Sequence, residues 1–315
     1  MNNQRKKISI IAPIYNESEG IGYFYNALCE LFAQRPELDF EVVCIDDGSH
    51  DDSLNKLIAI TERDLRFHVI ELSRNFGKEA ALTAGIDAAT GDAVIPIDAD
   101  LQDPPELILE MINEWVLGAE VILARRMDRS CDSFLKRKSA EIFYAFHNQL
   151  SSIQIPENVG DFRLMDRVVI DALKQLPEQH RFMKGLFAWV GFKTVTLDYV
   201  RNPRLAGTTK FSGWRLWNFA LEGITSFSAV PLKFWSYVGG IGALSTGVYA
   251  LYIISKTLWF GVEIPGYASL LVALLFFGSL QLISVGMLGE YIGRIYMETK
   301  HRPVYLIRKH YGQQQ

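Results

Sequence analysis

The chain has 315 residues, 49% of them hydrophobic, with 32 Lys and Arg against 36 Asp and Glu and a formal net charge of −4. That length allows one large domain, or a smaller one plus an appendage. The acidic balance excludes a nucleic-acid partner, whose phosphates demand a basic face.

Charges are dense before about residue 215 and nearly vanish between Phe234 and Gly289, so two materials share one chain. Three cysteines, Cys29, Cys44 and Cys131, form no CxxC or Cys/His cluster. They give no zinc signature and fit a reduced, cytosolic setting. The apolar run near the N-terminus ends at Pro13, too early for a signal peptide, and places the first domain in the cytosol.

The first 125 residues alternate strand and helix signals. Ile8–Ala12 reads as a strand closed by Pro13-Ile14-Tyr15-Asn16-Glu17, then a helix runs to about Ala33. Phe40–Ile45 is the second strand, stopped by Asp46-Asp47-Gly48-Ser49, with a helix from Asp51 to about Asp64. Phe67–Leu72 is the third strand and Gly77–Ala89 a helix with Ala80, Ala81, Ala84 and Ala88 on its apolar face. Ala93–Ile97, a helix over Pro104–Leu117 and Glu120–Ala124 complete the series. This alternation predicts a mostly parallel sheet covered by helices, with ligands at the carboxyl ends of its strands.

Residues 133–200 are less regular. An amphipathic helix is expected over Ser133–Leu150, a turn over Asn158–Asp161, a helix after Asp166 and a strand over Thr194–Tyr199. Arg201–Lys210 is polar and basic, and Gly213–Ser228 is amphipathic with Trp214, Trp217, Leu221, Ile224 and Phe227 at helical spacing.

Two long charge-free runs follow, 22 residues between Lys233 and Lys256 and 26 between Glu263 and Glu290. Each exceeds the roughly 20 apolar residues that a membrane span requires. Trp235, Tyr237, Trp259 and Phe260 fall near the ends, as interfacial aromatics do. Lys and Arg crowd the outer flanks while the connecting loop holds only Lys256, which places both termini in the cytoplasm.

Asp98 and Asp100 stand two apart at the end of the fourth strand. Hard divalent cations take oxygen ligands, and like charges this close need a neutralising partner. Metal or diphosphate binding is the reading for this pair. Asp103, before Pro104-Pro105-Glu106, is placed to cap the following helix. Asp46 could accept from a ribose or base edge, or belong to a turn in which Ser49 or Asp51 caps the next helix. Pro13 and Tyr15 could pack on a base and Glu17 bond a ribose. Arg74 and Lys78 bring cations towards a diphosphate, with an exposed charge pair as the alternative. Asp161 is an isolated carboxylate between apolar residues. The basic segments Arg181–Gly185 and Arg201–Ser212 suit a phosphorylated lipid or anionic lipid generally.

The stretches IIAPIYNE (Ile10–Glu17), DDGSHDDS (Asp46–Ser53), SRNFGKEAAL (Ser73–Leu82), DADLQDPPE (Asp98–Glu106), GDFRLMDR (Gly160–Arg167), RFMKGLFAWVGF (Arg181–Phe192) and RLAGTTKFS (Arg204–Ser212) resemble, in order, the family-2 inverting glycosyltransferases of GT-A fold. More narrowly they resemble the polyprenyl-phosphate glycosyltransferases, above all the bactoprenol glucosyltransferases of O-antigen glucosylation, relatives of the dolichol-phosphate mannose synthases.

The resemblance implies an α/β GT-A domain over 1–212, an interfacial helix over 213–230, a two-helix transmembrane hairpin over 231–292 and a basic cytosolic tail over 293–315. It implies transfer of a sugar, with UDP-glucose as the expected donor, to undecaprenyl phosphate at the cytosolic face of a bacterial inner membrane. The donor nucleotide would be held by Pro13, Tyr15, Glu17 and Asp46, with Arg74, Lys78 and Gln102 also at the donor. Asp98 and Asp100 would bind Mg²⁺ or Mn²⁺. Asp161 takes the place of a candidate base, and Arg204 and Lys210 would contact the acceptor phosphate or the diphosphate. A homo-oligomer is expected. GDP-mannose or UDP-4-formamido-arabinose are the alternative donors, and a transporter subunit with a nucleotide-binding domain is the alternative class.

Overall fold

Short β-branched runs bounded by polar loops build one eight-stranded sheet in the computed structural model, which describes residues 5–127, 156, 158–179, 181, 183–200, 230–260 and 266–312. The strands are β1 (Lys7–Ile14), β2 (Asp39–Asp46), β3 (Phe67–Leu72), β4 (Ala93–Pro96), β5 (Val121–Arg126), β6 (Val159–Asp166), β7 (Thr194–Tyr199) and β8 (Ile307–Tyr311), in the order β7-β5-β6-β4-β1-β2-β3-β8. β1, β2, β3 and β4 pair in parallel, as do β5 and β7. β6 runs antiparallel between β4 and β5, and β8 runs antiparallel along β3. The expected mostly parallel sheet is therefore present, with two antiparallel insertions.

The helices are α1 (Ile21–Ala33), α2 (Ser53–Thr61), α3 (Lys78–Ala88), α4 (Leu107–Val116), α5 (Arg167–Lys174), α6 (Met183–Trp189), α7 (Val230–Phe260) and α8 (Tyr267–Thr299). Side-chain alternation sends Ile8, Ile10 and Ala12 of β1 into a core with Phe24, Leu28, Ile108 and Ile112, while Ile11 joins Ala81, Ala84, Ile86 and Ile170 opposite. Both faces of the sheet are thus covered, as parallel sheets require. α3 lies unusually close to the sheet. A Cβ on Gly85 would stand 2.8 Å from Ile45 Cδ1 and 3.0 Å from Ile11 Cβ, so a larger residue there must displace these side chains.

Three expectations are corrected. Asn158–Asp161 is not simply a turn, because Val159 begins β6 and pairs with Arg125. α4 starts at Leu107, with Glu106 at its cap position and no side-chain cap bond. Asp103 accepts from the Tyr199 hydroxyl and lies 3.7 Å from Arg126 Nη2. The basic tail also returns to the sheet: Ile307–Tyr311 forms the edge strand β8. Tyr311 donates to Glu71 Oε2 at 2.8 Å, Tyr305 to Asp87 at 2.9 Å, and the Gln179 amide to Glu298 at 3.1 Å. The expected helices over 133–150 and 213–228, and Cys131, lie outside the described residues.

Among the described residues, no helix is long and apolar enough to cross a membrane. α7 and α8 have 31 and 33 residues and leave Leu244, Val248, Leu258, Trp259, Leu274 and Leu282 exposed.

At the amino end of the sheet, the buried Glu41 accepts from Ser9, from the Thr90 amide at 2.7 Å and from Lys7 Nζ at 2.5 Å. Burial alone would raise its pKa, but these bonds overcome it and hold Glu41 at about 2. A depressed carboxyl contributes stability above its unfolded pKa and loses it as pH falls through the folded value. Glu41→Gln should therefore cost on the order of 3 kcal/mol at pH 7. Its melting temperature should converge on that of the parent between pH 4.5 and 2. Parallel melting curves across that range would refute the assignment.

Candidate active site

The loops after β1, β2, β3 and β4 meet at one sheet edge, where open α/β sheets bind ligands. Asp47, at the end of β2, accepts from the amides of Phe76 at 2.7 Å and Gly77 at 2.9 Å. That tie holds the loop ahead of α3. Gly48, at φ +68°, permits the contact, since a Cβ there would lie 2.7 Å from the Arg74 carbonyl carbon and the Asn75 nitrogen. α3 then opens on Lys78.

The Lys78 ammonium joins three elements. Its Nζ stands 2.8 Å from Asp98 Oδ1 after β4 and 2.9 Å from Asp161 Oδ2 on β6. The Lys78 side chain is 44% exposed, yet its ammonium end is enclosed. Burial would lower its pKa, but Asp161 and Asp98 outweigh that and keep it firmly protonated. Burial would likewise raise Asp161, but Lys78, Lys184 and Arg163 hold it well below the usual carboxylate range. Asp161 is therefore held in its ionised form by the cations around it.

These groups line a cavity of about 180 Å³, together with Asp103, Arg126 and Lys184. Its walls are mostly polar. Beside it, Asp100 Oδ1 accepts from the Gln102 amide at 3.2 Å, and Leu101 between them is held at φ 53°, a strained value for a non-glycine residue. Gln102 Oε1, Asp161 Oδ1 and Asp46 Oδ1 are buried with no hydrogen-bond partner among the described residues.

The structure thus joins Lys78, Asp98 and Asp161, and Asp100 and Gln102 follow Asp98 closely in sequence. The cation that neutralises Asp98 here is Lys78. Among the described residues, no group of three or more His, Cys, Asp or Glu side chains gathers to hold a metal. Asp46 is buried at the end of β2, accepts from the Ser49 amide at 3.2 Å and has its pKa raised by burial. Pro13 pairs with Ile45, the Tyr15 ring meets His50 edge-on at 6.4 Å, and the Glu17 amide bonds Ser53 Oγ at 2.9 Å. These residues gather around the β1 and β2 ends and do not line the Lys78 cavity. Arg74 is exposed, lies 4.0 Å over the Phe76 ring and bonds the Asn75 carbonyl at 3.0 Å, away from the cavity. Arg204 and Lys210 lie outside the described residues.

Arg126, Lys184 and Glu79 were not singled out individually from the sequence. Arg126 ends β5 at the same sheet edge and donates to the Tyr199 hydroxyl at 3.0 Å. Glu79 accepts from the Met183 amide at 3.1 Å, linking α3 to the start of α6. Burial, then Asp161, push Glu79 up to about 7. A carboxyl raised on folding costs stability as pH climbs from its unfolded value to its folded one. Glu79→Gln should raise the melting temperature at pH 8 and leave it unchanged at pH 4; a loss at pH 8 would contradict this.

A helix-covered sheet, with a lysine clamped between two carboxylates at its carboxyl edge and further oxygen acceptors beside it, is an architecture for binding a charged, oxygen-rich ligand. Residues 9–174 match Glycosyl transferase family 2, and the chain belongs to that family. It is 52% identical over 302 residues to the bactoprenol glucosyl transferase of Shigella phage SfV, covering 96% of this chain and 98% of that one. It is 51% identical over 303 residues to the prophage bactoprenol glucosyl transferase homolog of Escherichia coli K12, covering 96% and 99%. A mannosyltransferase from Pyrobaculum calidifontis, solved with GDP-Man and Mn²⁺, is 17% identical with a TM-score of 0.47 over 94% of this chain and 88% of that one.

Proposed function

We propose that the protein transfers glucose from UDP-glucose to undecaprenyl phosphate at the cytosolic face of a bacterial inner membrane. The observation that carries the reading is the polar cavity at the end of β4, where a protonated lysine sits between Asp98 and Asp161 beside unpartnered oxygen acceptors. The names of the half-identical relatives support the choice of sugar and of lipid.

Pro13, Tyr15, Glu17 and Asp46 hold the uridine in this reading. The unpartnered Asp46 Oδ1 supplies an acceptor for a ribose hydroxyl or base N–H. Asp98 and Asp100 would hold Mg²⁺ or Mn²⁺, which take oxygen ligands, and Gln102 Oε1, buried with no hydrogen-bond partner among the described residues, would face the donor beside them. When bound, such an ion neutralises charge on the departing diphosphate. Lys78, Lys184 and Arg126 add positive charge around the same cavity. An acceptor phosphate oxygen attacks the anomeric carbon as the bond to UDP breaks, inverting the centre. A phosphate monoester is already ionised near neutral pH, so no base is needed; Asp161 orients Lys78. Arg204 and Lys210 approach the phosphates from the Arg201–Ser212 segment.

α7 and α8 form the membrane hairpin, and Gly213–Ser228 the interfacial helix. At 31 and 33 residues the two helices reach about 46 and 50 Å, more than the roughly 30 Å hydrocarbon core. The described residues of these helices fall short of a span by themselves, and the reading rests on the charge-free runs 234–255 and 264–289 of the sequence, with exposed aliphatic residues such as Leu244 and Leu274 suited to lipid contact. β8 supports the hairpin topology, because the chain beyond α8 returns to the sheet that precedes α7.

Purified protein offered undecaprenyl phosphate and radiolabelled UDP-glucose, GDP-mannose or UDP-4-formamido-arabinose should label lipid from UDP-glucose alone, and lose that labelling in EDTA. Labelling from GDP-mannose alone would refute the donor, and labelling that survives EDTA would refute the metal.

A further inference from the structure

β6 lines two cavities. It gives Gly160, Asp161 and Phe162 to the one described above, and Val159 and Arg163 to a neighbour of about 210 Å³; Lys184 lines both. The walls of the second cavity are largely apolar, with Leu123, Val159, Phe187 and Phe192 among them. Arg163 is only 5% exposed. Its guanidinium lies 4.1 Å over the Phe187 ring and donates from Nη2 to the Gly160 carbonyl at 2.7 Å. Its Nε has no hydrogen-bond partner among the described residues.

A buried donor left unused carries its full desolvation cost, more so on a charged group. Asp161 is the carboxylate that acts on Arg163, and it is already bonded to Lys78. An apolar chamber that ends on Arg163, whose Nε has no partner among the described residues, and on the Lys184 side chain suits an anion on an apolar chain. At about 210 Å³ it is smaller than the roughly 300 Å³ at which pockets for drug-sized ligands begin. That size admits a headgroup with its first carbons.

We propose that this cavity is the acceptor subsite, where the phosphate of an isoprenoid phosphate docks on Arg163 and Lys184 and its first prenyl carbons pack on Phe187 and Phe192. The phosphate then lies next to the donor cavity across Asp161. The proposal rests on the function proposed above and names the residues that grip its acceptor.

The test uses the full chain in detergent micelles and two variants. Arg163→Lys removes the Nε donor and the planar fork; Ala188→Trp fills the cavity from its half-buried wall without touching the charges. Each should raise the KM for undecaprenyl phosphate about ten-fold and leave the KM for UDP-glucose within about two-fold. Geranyl phosphate should compete with the lipid in the parent and lose potency in both variants. An unchanged lipid KM in Ala188→Trp, equal rises in both KM values, or inorganic phosphate competing as well as geranyl phosphate would each overturn the subsite. A parent protein that transfers no sugar to undecaprenyl phosphate would overturn the function itself.

Discussion

Asp98→Asn should lower kcat for glucosyl transfer by roughly 10²–10³-fold while the protein stays folded. The amide keeps the shape of the carboxylate and an oxygen within reach of Lys78, whose Nζ lies 2.8 Å from Oδ1. What it loses is charge, on which both the lysine and the proposed cation site depend. Asp98 is about one-third exposed, with its side chain at 32%, so little folding energy is at stake. Lipid labelling and a melting curve on the same sample measure the two effects separately. Turnover near that of the parent would show that Asp98 does not serve the reaction.

Lys78→Met should be more damaging, because it acts on two carboxylates at once. Asp98 and Asp161 would lose their shared cation, and the Asp161 side chain is only 17% exposed. Removing one partner of a buried pair costs about 3–5 kcal/mol; with Lys78 44% exposed, about 1–3 kcal/mol remains after solvent screening. In the parent, Asp161 is held ionised well below its ordinary range, so its stabilisation is present above that range and lost as pH falls. The variant should lack much of that acid-sensitive share. Its melting temperature should therefore fall further below the parent at pH 7 than at pH 3, and its turnover should be abolished. Lys78→Arg, which keeps the charge, should recover most of the stability. A Lys78→Met protein as stable as the parent at pH 7 would dismiss the clamp.

The sheet edge was legible in the sequence because each of the first four strands is a short apolar run ended abruptly by polar residues. Phe67–Leu72 and Thr194–Tyr199 match the observed β3 and β7 residue for residue. β6 was not legible. Its Gly160-Asp161-Phe162-Arg163 places charges where a strand pattern expects apolar residues, and those charges are buried only because Lys78 and Phe187 arrive from other elements. β8 was read as part of a basic tail, since Arg308 and Lys309 stand among the cations flanking the second charge-free run. An edge strand tolerates such residues, which discourage further pairing, and Arg308 also meets Glu71 at 3.2 Å.

The site divides in the same way. Asp98 and Asp100 were conspicuous as neighbours two apart, but the partner of Asp98 lies 20 residues before it, on another element. Lys78 looked like a free cation aimed at a diphosphate, and its two carboxylate partners were visible only once β4, β6 and α3 were brought together. Arg163 sat inside a quoted motif, but its buried unused donor is a product of packing that no spacing reveals.

The most direct measurement is of UDP released against sugar gained by lipid, on the full chain in micelles with UDP-glucose. The account predicts one UDP per glucosyl lipid and no UDP release when undecaprenyl phosphate is left out. UDP released without the lipid, or lipid present but unlabelled while UDP accumulates, would contradict it.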